Sequence, residues 1–139
     1  MVNVVYEKRD RIGYVTLNRP EALNALYDEL NDALWSVWAD FHSDKTVDVA
    51  IVTGAGKAFC SGADLNSFIP KWEHATMLDA RKNAARGIGG GITRGQHRIM
   101  KPIIAAVNGF AIGGGFELAR ALIVTGNGTS QARAGHCRP

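Results

Sequence analysis

The stretch KPIIAAVNGFAIGGGFELA, residues 101–119, decides the fold of this chain. It runs from an apolar strand-like segment through an Asn-Gly turn and three consecutive glycines to an isolated acid, Glu117. The same order of apolar run, glycine-bearing loop and helix occurs earlier, at 47–65. Strands that alternate with helices in this way predict an α/β fold.

The remaining segments extend this prediction. Residues 2–18, VNVVYEKRDRIGYVTLN, read as two short strands around a charged turn, which is typical of a hairpin. The run VDVAIVTG at 47–54 is nearly continuous in apolar residues, which favours a strand of a parallel sheet buried on both faces.

Two further segments predict helices. RPEALNAL at 19–26 is expected to open a helix whose apolar face recurs at helical spacing, at Leu26, Leu30, Leu34, Val37 and Phe41. Trp35 and Trp38 fit core or interface positions better than a ligand cage. Between Trp72 and Met100 both ends look helical, and GIGGGITRG at 87–95 predicts a break or loop between them.

Length, charge and composition exclude several classes of function. The 139 residues suffice for one modest domain, and no apolar run is long enough to span a bilayer. The first residues hold no apolar core of signal-peptide length, so we expect a cytoplasmic protein. All 13 acids lie at or before Glu117, so the net charge of +3 comes from arginines after it and predicts no nucleic-acid groove.

Cysteine and histidine give no sign of a disulfide framework or a metal. Cys60 and Cys137 are expected to be reduced thiols. The four histidines have no ligand-like spacing, so no metal site is predicted: His42, His74, His97 and His136.

Two glycine loops, GAGKAFCSGADL at 54–65 and the loop before Glu117, suggest chemistry when they are taken together. Glycine lets the backbone approach a ligand, and a loop entering a helix presents unpaired N–H groups. Two such loops side by side could aim two N–H donors at one oxygen, an arrangement in which one donor contributes about 3 kcal/mol to transition-state stabilisation.

Each loop alone also has an ordinary explanation. Gly113–Gly115 could serve close packing or a flexible turn, and Asp64 could simply cap the following helix. Glu117 could be an acid that is favoured by the amino end of its helix. The glycines at 87–91 do not form a dinucleotide fingerprint or a phosphate loop.

Three motifs in fixed order, LNRPEALNAL at 17–26 and the two loop segments at 54–65 and 101–119, strongly resemble the crotonase (enoyl-CoA hydratase/isomerase) superfamily. The resemblance covers residues 2 to about 119. It implies a spiral of strand-strand-helix (ββα) units, here truncated, with trimers or pairs of trimers among full-length relatives. It further implies acyl-CoA thioester ligands, with no cofactor other than the coenzyme A carried by the substrate.

The resemblance assigns roles to individual residues. The N–H groups of Ala63 and Gly114 correspond to the oxyanion hole, and Glu117 corresponds to the first catalytic glutamate. The stretch Ala63, Asp64, Leu65 and Asn66 resembles the one that holds coenzyme A and the thioester. Ala22 and Leu23 resemble residues that line the adenine side.

The chain departs from the family pattern after residue 119. Family hydratases carry a second glutamate about twenty residues after the first, whereas position 137 here is Cys and no acid follows Glu117. LIVTGNGT, at 122–129, still resembles the next family strand and its turn. We therefore expect residues 1–119 to be the amino-terminal part of a crotonase-like domain and 120–139 to be a divergent tail, frameshifted or disordered.

This departure leaves two functions open. The first is an enoyl-CoA hydratase/isomerase whose activity is impaired by the truncation, with the particular family reaction undecided. The second is a non-catalytic fragment that binds a CoA thioester or oligomerises.

Overall fold

The computed structural model describes residues 3–95, 97–126 and 134–135. Its helices and strands are, in chain order, β1 (Val4–Arg9), β2 (Ile12–Leu17), α1 (Asp28–Ser43), β3 (Val49–Gly54), β4 (Ala58–Cys60), α2 (Leu65–Glu73), α3 (Met77–Arg86), β5 (Ile103–Val107), β6 (Phe110–Ile112), α4 (Gly114–Arg120), β7 (Ile123–Gly126) and β8 (Ala134–Gly135), with short 3₁₀ turns at Pro20–Ala22 and Ile92–Arg94.

The strands form two sheets. The larger has the order β1-β2-β3-β5-β7, in which β1 and β2 are an antiparallel hairpin and every later neighbour is parallel. The smaller has the order β4-β6-β8 and is parallel throughout. The predicted hairpin is confirmed. Each predicted strand–loop–helix segment holds a short second strand within its loop, so β3-β4-α2 repeats as β5-β6-α4, as the family resemblance implies.

Helix α1 contributes one apolar face to the core that it shares with the larger sheet. All five residues of its predicted apolar face are buried, and Trp38 is fully buried with its indole N–H donating to the Gly89 carbonyl at 2.7 Å. Trp35 is 37% exposed and packs against His97 in a tilted ring contact, with ring centroids 4.3 Å apart and an interplanar angle of 59°.

The start of α1 differs from the prediction. The helix begins at Asp28, because Leu23 and Asn24 adopt left-handed backbone angles (φ 51° and 57°) after the 3₁₀ turn. The buried Asn24 amide explains this: it donates to the carbonyls of Ala55 and Ala58 and accepts from the Arg19 N–H. Ala55 and Ala58 lie more than thirty residues along the chain from Asn24, so a local sequence pattern does not reveal these two hydrogen bonds.

Two other predictions need correction. Strand β3 is parallel to both neighbours, but only one of its faces is buried and the other is half-covered, so its residues alternate. The helix expected near Met100 does not form: Arg98 has φ 48°, and residues 98–100 belong to no helix.

The predicted tail is partly described. Ile123–Gly126 is a strand that pairs in parallel with β5, which confirms the strand expected in LIVTGNGT. Residues 127–133 and 136–139, including Cys137 and His136, lie outside the described residues. The domain boundary after residue 119 stays a prediction. Of the helices described, none combines the length and apolar character needed to cross a bilayer.

Candidate active site

A single cavity of about 280 Å³ brings the two glycine loops together. Its lining includes Ala63 from the first loop and Gly114 and Glu117 from the second. Loops that follow adjacent parallel strands end at the same edge of a sheet, and β4 and β6 are such a pair. The convergence of these three residues therefore follows from the two repeated ββα units.

The two loops approach each other closely at Ala63 and Gly114. A methyl group in place of the Gly114 hydrogen would lie 3.8 Å from the Ala63 nitrogen. No acceptor for the Ala63 or Gly114 N–H occurs among the described residues. Gly114 opens α4, where first-turn N–H groups have no partner within the helix.

The direction of the Ala63 N–H is set by Leu26. The Leu26 N–H donates to the Gly62 carbonyl at 2.7 Å, and the Asp64 N–H donates to the Leu26 carbonyl at 2.8 Å. A trans peptide is planar with its C=O and N–H pointing in opposite directions. Because the Gly62 carbonyl points at Leu26, the N–H of the same peptide, which belongs to Ala63, points away from it.

Glu117 is fixed to the glycine loop by backbone bonds. Its N–H and that of Phe116 both donate to the Gly113 carbonyl, each at 3.0 Å. Its side chain is solvent-exposed at the cavity. A carboxylate in this place can accept a proton from a ligand or from water.

The Asp64 side chain is already engaged. Its Oδ2 lies 2.5 Å from Nη1 of Arg19, and its Oδ1 accepts from the Asn66 N–H at 3.0 Å. The Arg19 guanidinium, followed by the Asn66 N–H, holds the pKa of the Asp64 carboxyl below its usual range. The expectation that Asp64 caps the next helix is confirmed, because its Oδ1 accepts from the Asn66 N–H at the start of α2.

Other residues singled out in the sequence border the site without lining the cavity. Ala22 and Leu23 contact the first loop through Ser61, whose N–H donates to the Leu23 carbonyl at 3.0 Å. Leu65 and Asn66 are exposed on the first turn of α2. None of these four residues, nor Asp64, belongs to the cavity lining.

The sequence did not point to the charged and apolar residues that line the rest of the cavity. Lys71 of α2 and Arg86 of α3 line the cavity and form ion pairs with Asp28 and Asp32 of α1, respectively. Phe68 and Ile88 add apolar surface. Only the relative placement of three helices brings these residues together, so no local motif could have shown them.

Cys60 lies beneath the site as a packing residue. It is fully buried, and burial raises the pKa of its thiol to about 11, so the thiol stays protonated at neutral pH. A methyl group on Gly115 would lie 2.1 Å from the Cys60 carbonyl oxygen. Among the described residues, no group of His, Cys, Asp and Glu could hold a metal ion.

The fold and this cavity define an α/β protein with repeated ββα units, in which Ala63 and Gly114 of two glycine loops line one cavity together with Glu117. The chain belongs to the enoyl-CoA hydratase/isomerase family, whose model matches residues 7–125. Its predicted membership of the crotonase superfamily and its crotonase-like fold are thereby confirmed.

Named relatives agree with this assignment. The chain is 48% identical over 113 residues to a probable mitochondrial enoyl-CoA hydratase of Dictyostelium discoideum, covering 81% of this chain and 38% of that protein. It is 42% identical over 119 residues to the (E)-benzylidenesuccinyl-CoA hydratase of Thauera aromatica, covering 85% of this chain and 44% of that protein.

A solved structure, a probable enoyl-CoA hydratase from Mycobacterium smegmatis, matches with a TM-score of 0.77 at 35% identity, covering 91% of this chain and 49% of that one. The chain thus spans about half the length, or less, of the relatives it matches. These relatives are enzymes by name and lend no support to a non-catalytic binding fragment.

Proposed function

We propose that this chain binds an acyl-CoA thioester in the cavity between its two glycine loops, and that its parent reaction is the hydration of a 2-enoyl-CoA. The observation that supports this most is the convergence of Ala63, Gly114 and Glu117 on one cavity. The hydratase names of the relatives support the reaction class.

In this proposal the thioester oxygen accepts hydrogen bonds from the Ala63 and Gly114 N–H groups. Glu117 takes a proton from water while the water oxygen bonds to the β carbon, and the electron pair of the double bond moves to form an enolate. The two N–H groups stabilise the negative oxygen, at about 3 kcal/mol for one donor. Glu117 then returns this proton to the α carbon, the enolate electron pair forms the new C–H bond, and the product is the 3-hydroxyacyl-CoA.

Coenzyme A enters as part of the substrate, with no separate cofactor, and the backbone from Ala63 to Asn66 together with Ala22 and Leu23 borders its path. Full-length relatives are proposed to work as trimers or hexamers. A cytoplasmic location stays a prediction, and the Dictyostelium relative is mitochondrial by name.

The test measures binding and turnover separately. Crotonyl-CoA binding to the 139-residue chain is followed by calorimetry, and hydration is followed by loss of the conjugated thioester absorbance. Because no acid follows Glu117, we expect a low rate from this chain. General acid–base catalysis contributes about 10²–10⁴-fold, so Glu117→Gln should lower the remaining rate by at most that factor and leave Kd nearly unchanged. Glu29→Gln, on an exposed part of α1 outside the cavity lining, is the matched control and should change neither.

Each outcome is informative. Turnover that Glu117→Gln does not lower would overturn the role of this carboxylate. Binding without turnover of crotonyl-CoA would reject hydration by this chain and keep the thioester site. Absence of binding would reject the site itself.

A further inference from the structure

Arg19 connects the two segments that set the direction of the Ala63 N–H. Its Nη1 lies 2.5 Å from Oδ2 of Asp64, the residue after Ala63. Its guanidinium carbon lies 4.4 Å from the centroid of the Tyr27 ring, the residue after Leu26. Leu26 and Ala63 form an isolated parallel bridge, so Arg19 contacts the next residue on both sides of that bridge.

The contact is shielded from water. The side chains of Arg19 and Asp64 are 24% and 10% exposed, whereas the comparable Arg11–Asp48 pair at the hairpin turn is 61% and 60% exposed. Charge-assisted bonds gain strength where solvent is excluded, and guanidinium groups stack well on aromatic rings. Glu21, at 4.0 Å from Arg19 Nε and 60% exposed, is a weaker partner.

The backbone of Arg19 is held as well. Its N–H donates to Oδ1 of Asn24 at 2.9 Å, and the Asn24 amide donates to the carbonyls of Ala55 and Ala58. Arg19 is therefore anchored to the loop after β3 and reaches from there across the Leu26–Ala63 bridge. A flexible surface arginine would lack this support.

We propose that Arg19 is a positioning residue that keeps the Ala63 N–H aimed into the cavity by clamping Asp64 and Tyr27 across the Leu26–Ala63 bridge. This inference rests on the proposed function, in which that N–H polarises the thioester. Arg19 itself is outside the cavity lining and acts through its neighbours.

The decisive experiment measures amide hydrogen exchange in the ligand-free 139-residue chain. In Arg19→Gln, the Leu26 and Asp64 amides, which form the bridge bonds, should exchange about tenfold faster, while amides in the centre of β3 change much less. Arg11→Gln, which breaks the exposed pair, should leave both bridge amides unchanged. Arg19→Lys keeps the charge but loses the planar stacking, so its bridge amides should exchange at rates between those of the wild type and Arg19→Gln. The same variant replaces Arg19→Gln in the experiment if Arg19→Gln does not fold.

Uniform acceleration across β3 and the bridge in Arg19→Lys would mean a general stabilising role and would overturn the proposal. Unchanged bridge amides would overturn it too. Asp64→Asn, alone and combined with Arg19→Gln, provides a further check: because Arg19→Gln already removes the contact with Asp64, the double variant should exchange no faster at Leu26 than Arg19→Gln alone, and additive effects would contradict the clamp.

A second measurement separates this inference from the proposed function. Crotonyl-CoA labelled with ¹³C at the thioester carbonyl should show a lowered C=O stretch when bound to the wild-type chain and a smaller shift with Arg19→Lys. If the bridge amides exchange faster in the Arg19 variants but crotonyl-CoA bound to the wild-type chain shows no shift of its C=O stretch, the clamp is supported and the oxyanion hole is rejected. A full carbonyl shift that Arg19→Lys leaves intact would support the oxyanion hole and reject the clamp.

Discussion

The three consecutive glycines before Glu117 have three different structural reasons. Gly113 adopts φ 52° and ψ −121°, a conformation that side chains disfavour, although a methyl group there would meet no atom within 4 Å. Gly114 keeps space at the cavity, where a methyl group would lie 3.1 Å from Cδ1 of Ile88. Gly115 allows α4 to pack directly on the Cys60 backbone.

Alanine at each of these positions should therefore cost a different amount of stability. We expect Gly115→Ala to lower the free energy of unfolding by about 3 kcal/mol or more, because its methyl group would overlap backbone that cannot move away. Gly113→Ala should cost about 1–3 kcal/mol through its backbone angles. Gly114→Ala should cost under about 1 kcal/mol, since the Ile88 side chain can shift. Urea denaturation of the three variants measures these losses and shows whether they follow the expected order.

Gly95 provides the control for backbone strain alone, because it has φ 62° and an added methyl group would meet nothing within 4 Å. Gly95→Ala should lower the free energy of unfolding by about 1 kcal/mol. A Gly115→Ala variant as stable as the wild type would show that α4 does not pack on Cys60 as described.

The charge of Asp64 makes a pH-dependent contribution to stability. Since Arg19 lowers the pKa of the folded carboxyl below the unfolded value of about 3.9, the ionised form favours folding. The stability difference between wild type and Asp64→Asn should be fully present above about pH 4. It should disappear as the pH falls through the lowered folded pKa.

Urea midpoints at pH 7, 4 and 2.5 measure this difference. Asp48→Asn is a useful comparison, because the Arg11 guanidinium lowers the pKa of Asp48 also, but the pair is mostly exposed and solvent screens it. A stability difference for Asp64→Asn that stays constant down to pH 2.5 would mean that the charge of Asp64 does not act in folding.

At the scale of elements, α2 and α3 are the helices least supported by the core. Helix α3 has no buried residue and only ten residues, a length at which an isolated helix is marginal in water. Its support comes from the Thr76–Asp79 capping box at its start and the Arg86–Asp32 ion pair at its end. The Lys71–Asp28 pair holds α2 in the same manner.

We therefore expect the amides of α3 to exchange faster than those of the other described helices. Their exchange should become faster still when the Arg86–Asp32 ion pair is weakened. Arg86→Gln should accelerate α3 exchange about twofold to fivefold, consistent with 0.2–1 kcal/mol for an exposed pair. Raising the salt concentration to 1 M, where the screening length is about 3 Å, should give a similar effect in the wild type. Arg11→Gln, at the hairpin turn, should leave the exchange rates of the α3 amides unchanged. If the α3 amides of Arg86→Gln exchange no faster than those of the wild type, this account is contradicted.

How far the sequence predicts the structure depends on the range of the contacts involved. The convergence of Ala63, Gly114 and Glu117 was predictable, because each loop carries its own glycines and the repeated unit places the loops side by side. The start of α1 was not, since the Asn24 amide bonds form across more than thirty residues. The Lys71 and Arg86 wall was equally hidden, because it depends on how α2 and α3 lie on α1.

At the scale of the whole molecule, apolar surface is concentrated at α2, α3 and β7. Leu65, Phe68 and Ile69 of α2 are exposed, Met77 of α3 is 83% exposed, and Ile123 of β7 is 56% exposed. Within the described part of the chain, β7 is also an edge strand of the larger sheet. Exposed apolar residues and open strand edges both favour association with other chains.

We expect the 139-residue chain to self-associate or to bind a full-length relative, and not to remain a clean monomer. Light scattering coupled to size-exclusion chromatography should show mass rising with concentration. Ile69→Lys with Met77→Lys should reduce this association if the helix surface is responsible, whereas Ile123→Lys should reduce it if the β7 edge is. Glu73→Lys, at the polar end of α2, controls for added positive charge. A monodisperse wild-type monomer that melts cooperatively, by light scattering and calorimetry, would contradict the prediction and would mean that these apolar residues are tolerated in water.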